Sequence, residues 1–142
     1  MRIRRAKQSD VPDITLLARE LGYRCKESDI RERLFRISRK KDHLVLVCVD
    51  DNRKAIGWIH AFIRTILQDR ISVEIEGFIV TRRHRRNGVG SLLLEKMEEW
   101  ATSHGISEIS LGTNIKRKSA HTFYYKRGFH KTKVHYRLVK YL

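Results

Sequence analysis

Apolar and polar positions follow two different periods along the chain, and the change between them marks the predicted elements. Strands are predicted where apolar residues alternate with polar ones or form short runs, in MRIRRA, HLVLVCVD, AIGWIHAFI, ISVEIEGFIV, ISEISLG and VHYRLVKYL. The segment DNRK between the second and third of these favours a turn and predicts an antiparallel hairpin. Helices are predicted where apolar residues recur three and four positions apart, over about 9–21, 28–37, 88–104 and 116–127. Helices interspersed with strands in this order indicate a single α/β domain over residues 1–142.

Composition and charge narrow the class of protein. Hydrophobic residues make up 41% of the 142 residues, which is enough to build a core. The chain lacks an apolar run of about 18 residues and its first residues lack the apolar stretch of a signal peptide, so we expect a cytoplasmic protein that does not enter a membrane. With only two cysteines and no Cys/His cluster at metal-ligand spacing, we expect neither a disulfide framework nor a metal site.

The formal charge of +15 predicts attraction to phosphates, nucleic acid or an acidic protein. Much of this charge is concentrated in RRHRRNGVG, residues 82–90, which lie between a predicted strand and a predicted helix. The first backbone N–H groups of a helix have no partner within the helix, and the helix dipole is positive there, so this segment is a candidate anion site. Its glycine spacing fits neither a P-loop nor a dinucleotide-binding fingerprint.

Two motifs carry a resemblance to a known family. The segment RRNGVG, with Arg85, Gly88 and Gly90, resembles the R/Q-x-x-G-x-G/A signature of the GNAT superfamily of N-acetyltransferases. The segment AHTFYYKRGF resembles the A-x-x-(F/L)-Y-x-x-x-G-F motif of the same family. The order of elements also matches, so the resemblance covers essentially the whole chain. It implies the GNAT acyl-CoA N-acyltransferase fold, a mixed, mostly antiparallel twisted sheet that is splayed in the middle and flanked by helices.

The resemblance also implies acetyl-CoA as co-substrate and a set of residues that bind it. The pantetheine arm would enter between the splayed strands and contact the backbone of Phe78, Ile79 and Val80. The pyrophosphate would contact the loop that contains Arg85, Arg86, Asn87, Gly88, Val89, Gly90 and Ser91. The family often carries asparagine where this chain has Arg117, and the nearest alternative is Asn114. Arg82 and Arg83 either meet the 3′-phosphate or are solvated.

Acetyl transfer to an amine requires a group that removes a proton, because an ammonium ion has no lone pair. Glu74 and Glu76 alternate with Ile75 and Gly77, so we expect both carboxylates on one face of the strand, together with Phe78 and Val80. Glu74 matches the position of the general-base glutamate in the histone-acetylating members of the superfamily. Either glutamate is a candidate base. The alternative is that they pair with local arginines or attract a cationic substrate.

Tyr124 matches the family tyrosine that protonates the leaving thiolate of CoA, and the alternative is a packing role. For the acceptor, the resemblance points to the first two helices and the loop between them, with Tyr23 and Glu27 as candidate lining residues. The acceptor itself stays open between a small amine, including an aminoglycoside or a polyamine, and a protein or peptide amine. The chain is expected to be a monomer or a homodimer. The alternative function is a non-catalytic basic module that binds nucleic acid.

Overall fold

The structure is a computed structural model that describes every residue from Met1 to Leu142, and it divides into two compact units, Met1–Gly112 and Thr113–Leu142. The first unit contains a five-stranded sheet and three helices. Its strands are β1 (Arg2–Arg5), β2 (His43–Val49), β3 (Ala55–Arg64), β4 (Ser72–Val80) and β5 (Ile109–Leu111). Its helices are α1 (Val11–Glu20), α2 (Glu27–Ser38) and α3 (Val89–Ser103). The second unit contains α4 (Lys118–Lys126).

The sheet has the strand order β1-β2-β3-β4-β5. The first four strands pair antiparallel and β5 joins β4 in parallel, so the sheet is mixed and mostly antiparallel, as predicted. The predicted hairpin between β2 and β3 is confirmed. Its turn is closed by the Asp50 carboxylate, which accepts hydrogen bonds from the backbone N–H groups of Asn52 and Lys54, each at 2.9 Å. Arg53 completes this turn in the left-handed region, with φ of 61°.

Helices cover both faces of the sheet. On one face, Val11 and Ile14 of α1 and Leu34 of α2 pack in a cluster with alternate residues of β2 and with Trp58. We call this the α1–α2 face. The other face packs against α3, where a Cβ atom at Gly57 would lie 3.3 Å from Leu93 Cδ1. The apolar stripe predicted for α3 consists of Val89, Leu93, Met97 and Trp100. It is confirmed, because the first three are buried and Trp100 is half-buried.

The predicted final strand, VHYRLVKYL, is wrong. Residues 129–142 form no strand in the structure, and the apolar side chains from Val134 to Leu142 are exposed. An alternating pattern produces a strand only where a neighbouring strand supplies hydrogen bonds to its backbone groups, and here none does. The alternation is real, but the pairing that it would need is not formed within this chain.

Candidate active site

The course of β4 changes at Glu76. Pairing with β5 covers only Val73–Ile75 and stops one residue before Glu76. On the opposite side, the register with β3 passes from Ile75 to Gly77, so Glu76 is the extra residue of a bulge. β5 ends at Leu111, opposite Ile75, so the part of β4 from Glu76 to Val80 extends beyond β5 and pairs with β3. The splay expected between these two strands stays a prediction. A bulge at this point also changes which face each later side chain occupies.

One expectation from the sequence is corrected by this bulge. Strict alternation predicts that Glu74 shares a face with Phe78 and Val80. In the observed register Glu74 is opposite Phe62, whereas Phe78 is opposite Ile59, on the other face. Glu74 therefore lies on the α1–α2 face, and Phe78 and Val80 lie on the α3 face.

A row of four side chains crosses the sheet on the α1–α2 face. His43 of β2 is opposite Phe62 of β3, Phe62 is opposite Glu74 of β4, and Glu74 is opposite Ser110 of β5. All four are partly buried. The hydroxyl of Ser110 donates a hydrogen bond to Oε2 of Glu74. The carboxylate is thus bounded by an aromatic ring on one side and a hydrogen-bond donor on the other.

Two histidines continue this surface. His43 Nδ1 and His60 Nε2 are 3.0 Å apart, and His43 also stacks on Phe62 with the ring centroids 5.3 Å apart. Burial, with a smaller contribution from the nearby His43, lowers the pKa of His60 to about 4. Burial also lowers the pKa of His43. Both rings are therefore held in the neutral form near pH 7, and they add no positive charge beside Glu74.

Glu76 and Gly77 have different surroundings from Glu74. Glu76 is exposed, as expected for the extra residue of a bulge. Gly77 lies against Trp58, and any Cβ atom at this position would collide with the indole ring. Glycine is therefore required where the tryptophan crosses the strand. Sequence alternation brings the two glutamates together, whereas the structure gives them separate environments.

The basic loop leads from β4 into α3. A short 3-10 turn, Arg82–His84, follows the strand, and α3 begins after Gly88, whose φ is 81°. A Cβ atom at Gly88 would meet no atom within 4 Å, so the space in front of this residue is open. The first N–H group to bond within the helix is that of Leu92, which donates to the Gly88 carbonyl at 3.0 Å. The preceding amides need partners outside the helix, which is the geometry of an anion site.

Arginines line this loop but are not equivalent. The Arg85 side chain donates through Nε to the Val80 carbonyl at 2.9 Å and lies 3.8 Å from the Glu20 carboxylate. It therefore ties the loop to the end of β4. Arg86 is exposed and has a φ of 67°, in the left-handed region. Asn87 is exposed as well. Val89, the first residue of α3, is buried and anchors the start of the helix.

Tyr124 lies in the second unit, on α4. Its side chain is buried, with Phe129 and Phe123 arranged edge to face at 5.5 and 5.6 Å. Burial raises the pKa of the Tyr124 phenol, and the positive charge of Arg117 opposes this effect only in part. The phenol is therefore protonated throughout the neutral range, as a proton donor must be.

Asn114 has a local structural role in the second unit. Its Oδ1 accepts a hydrogen bond from the Lys116 N–H at 2.9 Å, and its carbonyl accepts from Nε2 of His121 at 2.9 Å. These bonds shape the turn before α4. The predicted contact of Asn114 with the cofactor stays a prediction.

The loop between α1 and α2 borders a shallow depression of about 480 Å³. It is lined by Arg19, Gly22, Tyr23, Arg24, Cys25, Lys26 and Asp29. Tyr23 is 64% exposed, and Arg19 donates to the Cys25 carbonyl at 3.1 Å. Glu27, the other residue predicted near the acceptor, is the first residue of α2 and does not line the depression. Three of the lining side chains are basic and one is acidic.

Comparison with known proteins decides the family. The sequence profile of the acetyltransferase (GNAT) family matches residues 12–129, which is most of the chain. The chain belongs to this family. It is an acyltransferase. Acetyl-CoA is the co-substrate that membership of the GNAT family implies.

Relatives of this GNAT protein act on different amines. It is 26% identical to the aminoglycoside N(6')-acetyltransferase type 1 of Acinetobacter genomosp. 13, over 68% of this chain and 69% of that protein. It is 39% identical to the aminoalkylphosphonate N-acetyltransferase of Salmonella typhimurium, over 47% of this chain and 42% of that protein. A solved structure of aminoglycoside acetyltransferase AAC(6')-Iy with a CoA bisubstrate analogue has a TM-score of 0.87 at 20% identity. That match covers 99% of this chain and 98% of the other. At this identity the structural likeness shows the fold alone.

Sequence reasoning missed part of the surface around Glu74 in this acetyltransferase. His43, His60, Phe62 and Ser110 were not predicted as site residues. Each lies in a predicted strand, so a correct strand register would have brought them beside Glu74.

No group of three or more His, Cys, Asp or Glu side chains is arranged to hold a metal ion. No helix is both long enough and apolar enough to cross a bilayer.

Proposed function

We propose that this GNAT protein transfers the acetyl group of acetyl-CoA to a primary amine by direct attack in a ternary complex. The observation that carries the proposal is the second half of β4, which extends beyond the end of β5 and continues into a glycine-capped helix start. The family resemblance implies that the backbone of Phe78, Ile79 and Val80 in this half contacts the pantetheine arm. The loop from Arg85 to Ser91 offers amides and positive charge to the pyrophosphate.

Glu74 is the general base in this proposal. Its carboxylate lies on the α1–α2 face, the face on which the family resemblance implies the acceptor, directly between the uncharged side chains of Phe62 and Ser110. It takes a proton from the amine, directly or through water, and the amine nitrogen then forms a bond to the thioester carbonyl carbon. Glu76, exposed in the bulge, is the second candidate for this role.

Tyr124 is the general acid. When the tetrahedral intermediate collapses, the C–S bond breaks and the sulfur leaves as a thiolate. A phenol with a raised pKa is protonated throughout the neutral range, so its proton is available to the sulfur as the C–S bond breaks. Tyr124→Phe should retain acetyl-CoA binding and lose about 10²-fold in kcat, and higher pH should not restore the rate. If kcat is near the wild-type value under conditions where chemistry limits the rate, Tyr124 has only a packing role.

The acceptor is the open part of the proposal, and the curated relatives suggest two chemical classes. An aminoglycoside carries several positive charges and would meet Arg19, Arg24 and Lys26 around the α1–α2 depression. An amine that also carries an anionic group fits those three side chains and the charge of +15 better. We therefore propose an amine with a phosphonate, phosphate or carboxylate group, either free or within an acidic peptide.

The test has two parts. Acetyl-CoA binding is measured by calorimetry, and a failure to bind at millimolar cofactor would contradict the enzyme proposal. Release of the CoA thiol is then followed with neamine, spermidine, 2-aminoethylphosphonate and a lysine peptide with acidic flanks. The two anionic amines should give the highest kcat/KM, and their advantage should shrink as salt rises. Preference for neamine would instead assign the aminoglycoside class.

A further inference from the structure

We propose that Ser110 is a positioning residue for Glu74. Its hydroxyl donates to Oε2 and holds the carboxylate in the orientation in which the other oxygen, Oε1, receives the proton of the acceptor amine. The inference rests on the proposed role of Glu74 as general base. Ser110 belongs to neither sequence motif. Only the pairing of β5 with β4 places it next to Glu74.

The sheet geometry explains why a serine can do this. Glu74 and Ser110 are directly opposite in the parallel pairing of β4 and β5, so their side chains lie on the same face. The pairing covers only three residue pairs, because β5 ends at Leu111, opposite Ile75. Ser110 is the middle residue of β5, so pairing on both sides of it fixes its position opposite Glu74. A glutamate side chain has three rotatable bonds, and a fixed donor at its end reduces the orientations that it samples.

The bond also has an electrostatic consequence. A hydroxyl that donates to a carboxylate stabilises the ionised form, which is the form that accepts a proton. Other titratable groups near Glu74 are His60 of β3, His43 of β2, Glu76 in the bulge and Glu108 at the start of β5. Glu108 lies 3.9 Å from Arg70, and α1 and α2 contribute apolar side chains to the buried cluster on this face. Only Ser110 donates a hydrogen bond to the Glu74 carboxylate.

The test is the variant Ser110→Ala in the full chain. Without the donor the carboxylate is no longer held towards the acceptor amine, so kcat/KM should fall about tenfold over the whole pH profile. The kcat at pH 7 should fall about tenfold through lost orientation, while the Kd for acetyl-CoA stays unchanged. Ser110→Thr keeps a hydroxyl and suits a strand, and it should restore the wild-type profile.

Ser72→Ala is the matched control. Ser72 lies two residues from Glu74 on the same strand, is buried, and its hydroxyl makes no hydrogen bond. Its removal should leave the pH profile unchanged. A second control is Ser110→Ala in a Glu74→Gln background, where it should have no further effect on the profile, because Ser110 acts through Glu74. If Ser110→Ala changes the pH profile of kcat/KM equally in the wild-type and Glu74→Gln backgrounds, the proposal is overturned.

A measurement that does not depend on turnover separates this inference from the proposed function. The ¹³C NMR signal of the Glu74 side-chain carboxyl carbon is recorded at pH 7 in the wild type, Ser110→Ala and Ser72→Ala. Its chemical shift should change in Ser110→Ala only, because that variant alone removes the donor to the carboxylate. An unchanged chemical shift would overturn the role of Ser110 even if the enzyme is active. Failure of the wild type to acetylate any amine would contradict the proposed function, while a changed chemical shift in Ser110→Ala would still support the hydrogen bond.

Discussion

The first half of β4 has a strand on each side, whereas the second half, from Glu76 to Val80, extends beyond the end of β5 and pairs with β3. The first half presents a side chain, Glu74, that is fixed between Phe62 and Ser110. The second half is proposed to contact the cofactor through its backbone. It continues into a loop whose tip, at Arg86, Asn87 and Gly88, is exposed. One strand therefore carries two kinds of site that differ in what holds them in place.

This difference separates chemistry from binding. A proton acceptor must be oriented before the reaction, so it benefits from neighbours on both sides. A phosphate group is bound by several N–H groups and charges at once, so the loop needs open space more than it needs a single fixed side chain. Variants in the first half should accordingly affect rate, and variants in the loop should affect cofactor affinity.

The largest effect is expected for Glu74→Gln. At neutral pH kcat/KM should fall about 10²- to 10³-fold, because the amine loses its proton acceptor, and the rate should recover as rising pH deprotonates the free amine. The Kd for acetyl-CoA should not change. Glu76→Gln, in the same strand but exposed in the bulge, is the matched control and should keep most of the activity. The reverse ranking in a full pH profile would assign the base to Glu76.

Gly88→Val should come next and should act on binding. The valine side chain would fill the open space in front of α3, and its branched Cβ opposes the left-handed φ of 81°. Acetyl-CoA affinity should fall about 30-fold, or about 2 kcal/mol.

Gly105→Val controls for backbone strain, because Gly105 has a φ of 70° and equally open space at the other end of α3. Both variants should lose similar thermal stability, and only Gly88→Val should lose affinity in calorimetry. Equal affinities would exclude the loop as the pyrophosphate site.

His60→Gln tests how the surface around Glu74 is kept neutral. The pKa of His60 is about 4 in the folded protein and about 6.5 in an unfolded chain, so the unfolded state binds the extra proton between these values. Stability is therefore retained above about pH 6.5 and lost as pH falls towards 4. Between pH 7.5 and 4.5 the wild type should lose about 2 kcal/mol more than His60→Gln in urea unfolding. Parallel losses in the two proteins would contradict the buried neutral state of His60.

The sequence was sufficient for the elements that have a strong local signal. The helix stripe at Val89, Leu93 and Met97 and the hairpin before Ala55 depend on periodicity and turn chemistry, and both are confirmed. The face of Phe78 relative to Glu74 was predicted wrongly, because a bulge inserts one residue without any local mark except Gly77.

The role of pairing between distant strands explains the other failures. Ser110 is 36 residues from Glu74, and only the β4–β5 register brings them together. The final strand failed for a related reason, because alternation in residues 134–142 says nothing about whether an edge is available. Local chemistry is therefore readable from the sequence, whereas contacts that depend on register are not.

The smallest effect is expected for Arg86→Gly, compared with Arg53→Gly. Both arginines have a left-handed φ, 67° and 61°, so glycine should relieve similar strain at the two positions. The greater backbone entropy of glycine in the unfolded chain offsets part of this gain, which leaves a net stabilisation of about 0.5 kcal/mol in each variant. The two positions differ in location, because Arg86 belongs to the loop and Arg53 to the β2–β3 turn. Arg86→Gly should therefore weaken acetyl-CoA binding about threefold at low salt through the loss of one nearby charge, and Arg53→Gly should leave it unchanged. If the difference persists at 0.5 M NaCl, Arg86 contacts a phosphate directly; if both variants bind equally at low salt, the loop binds the cofactor through its backbone and its other side chains.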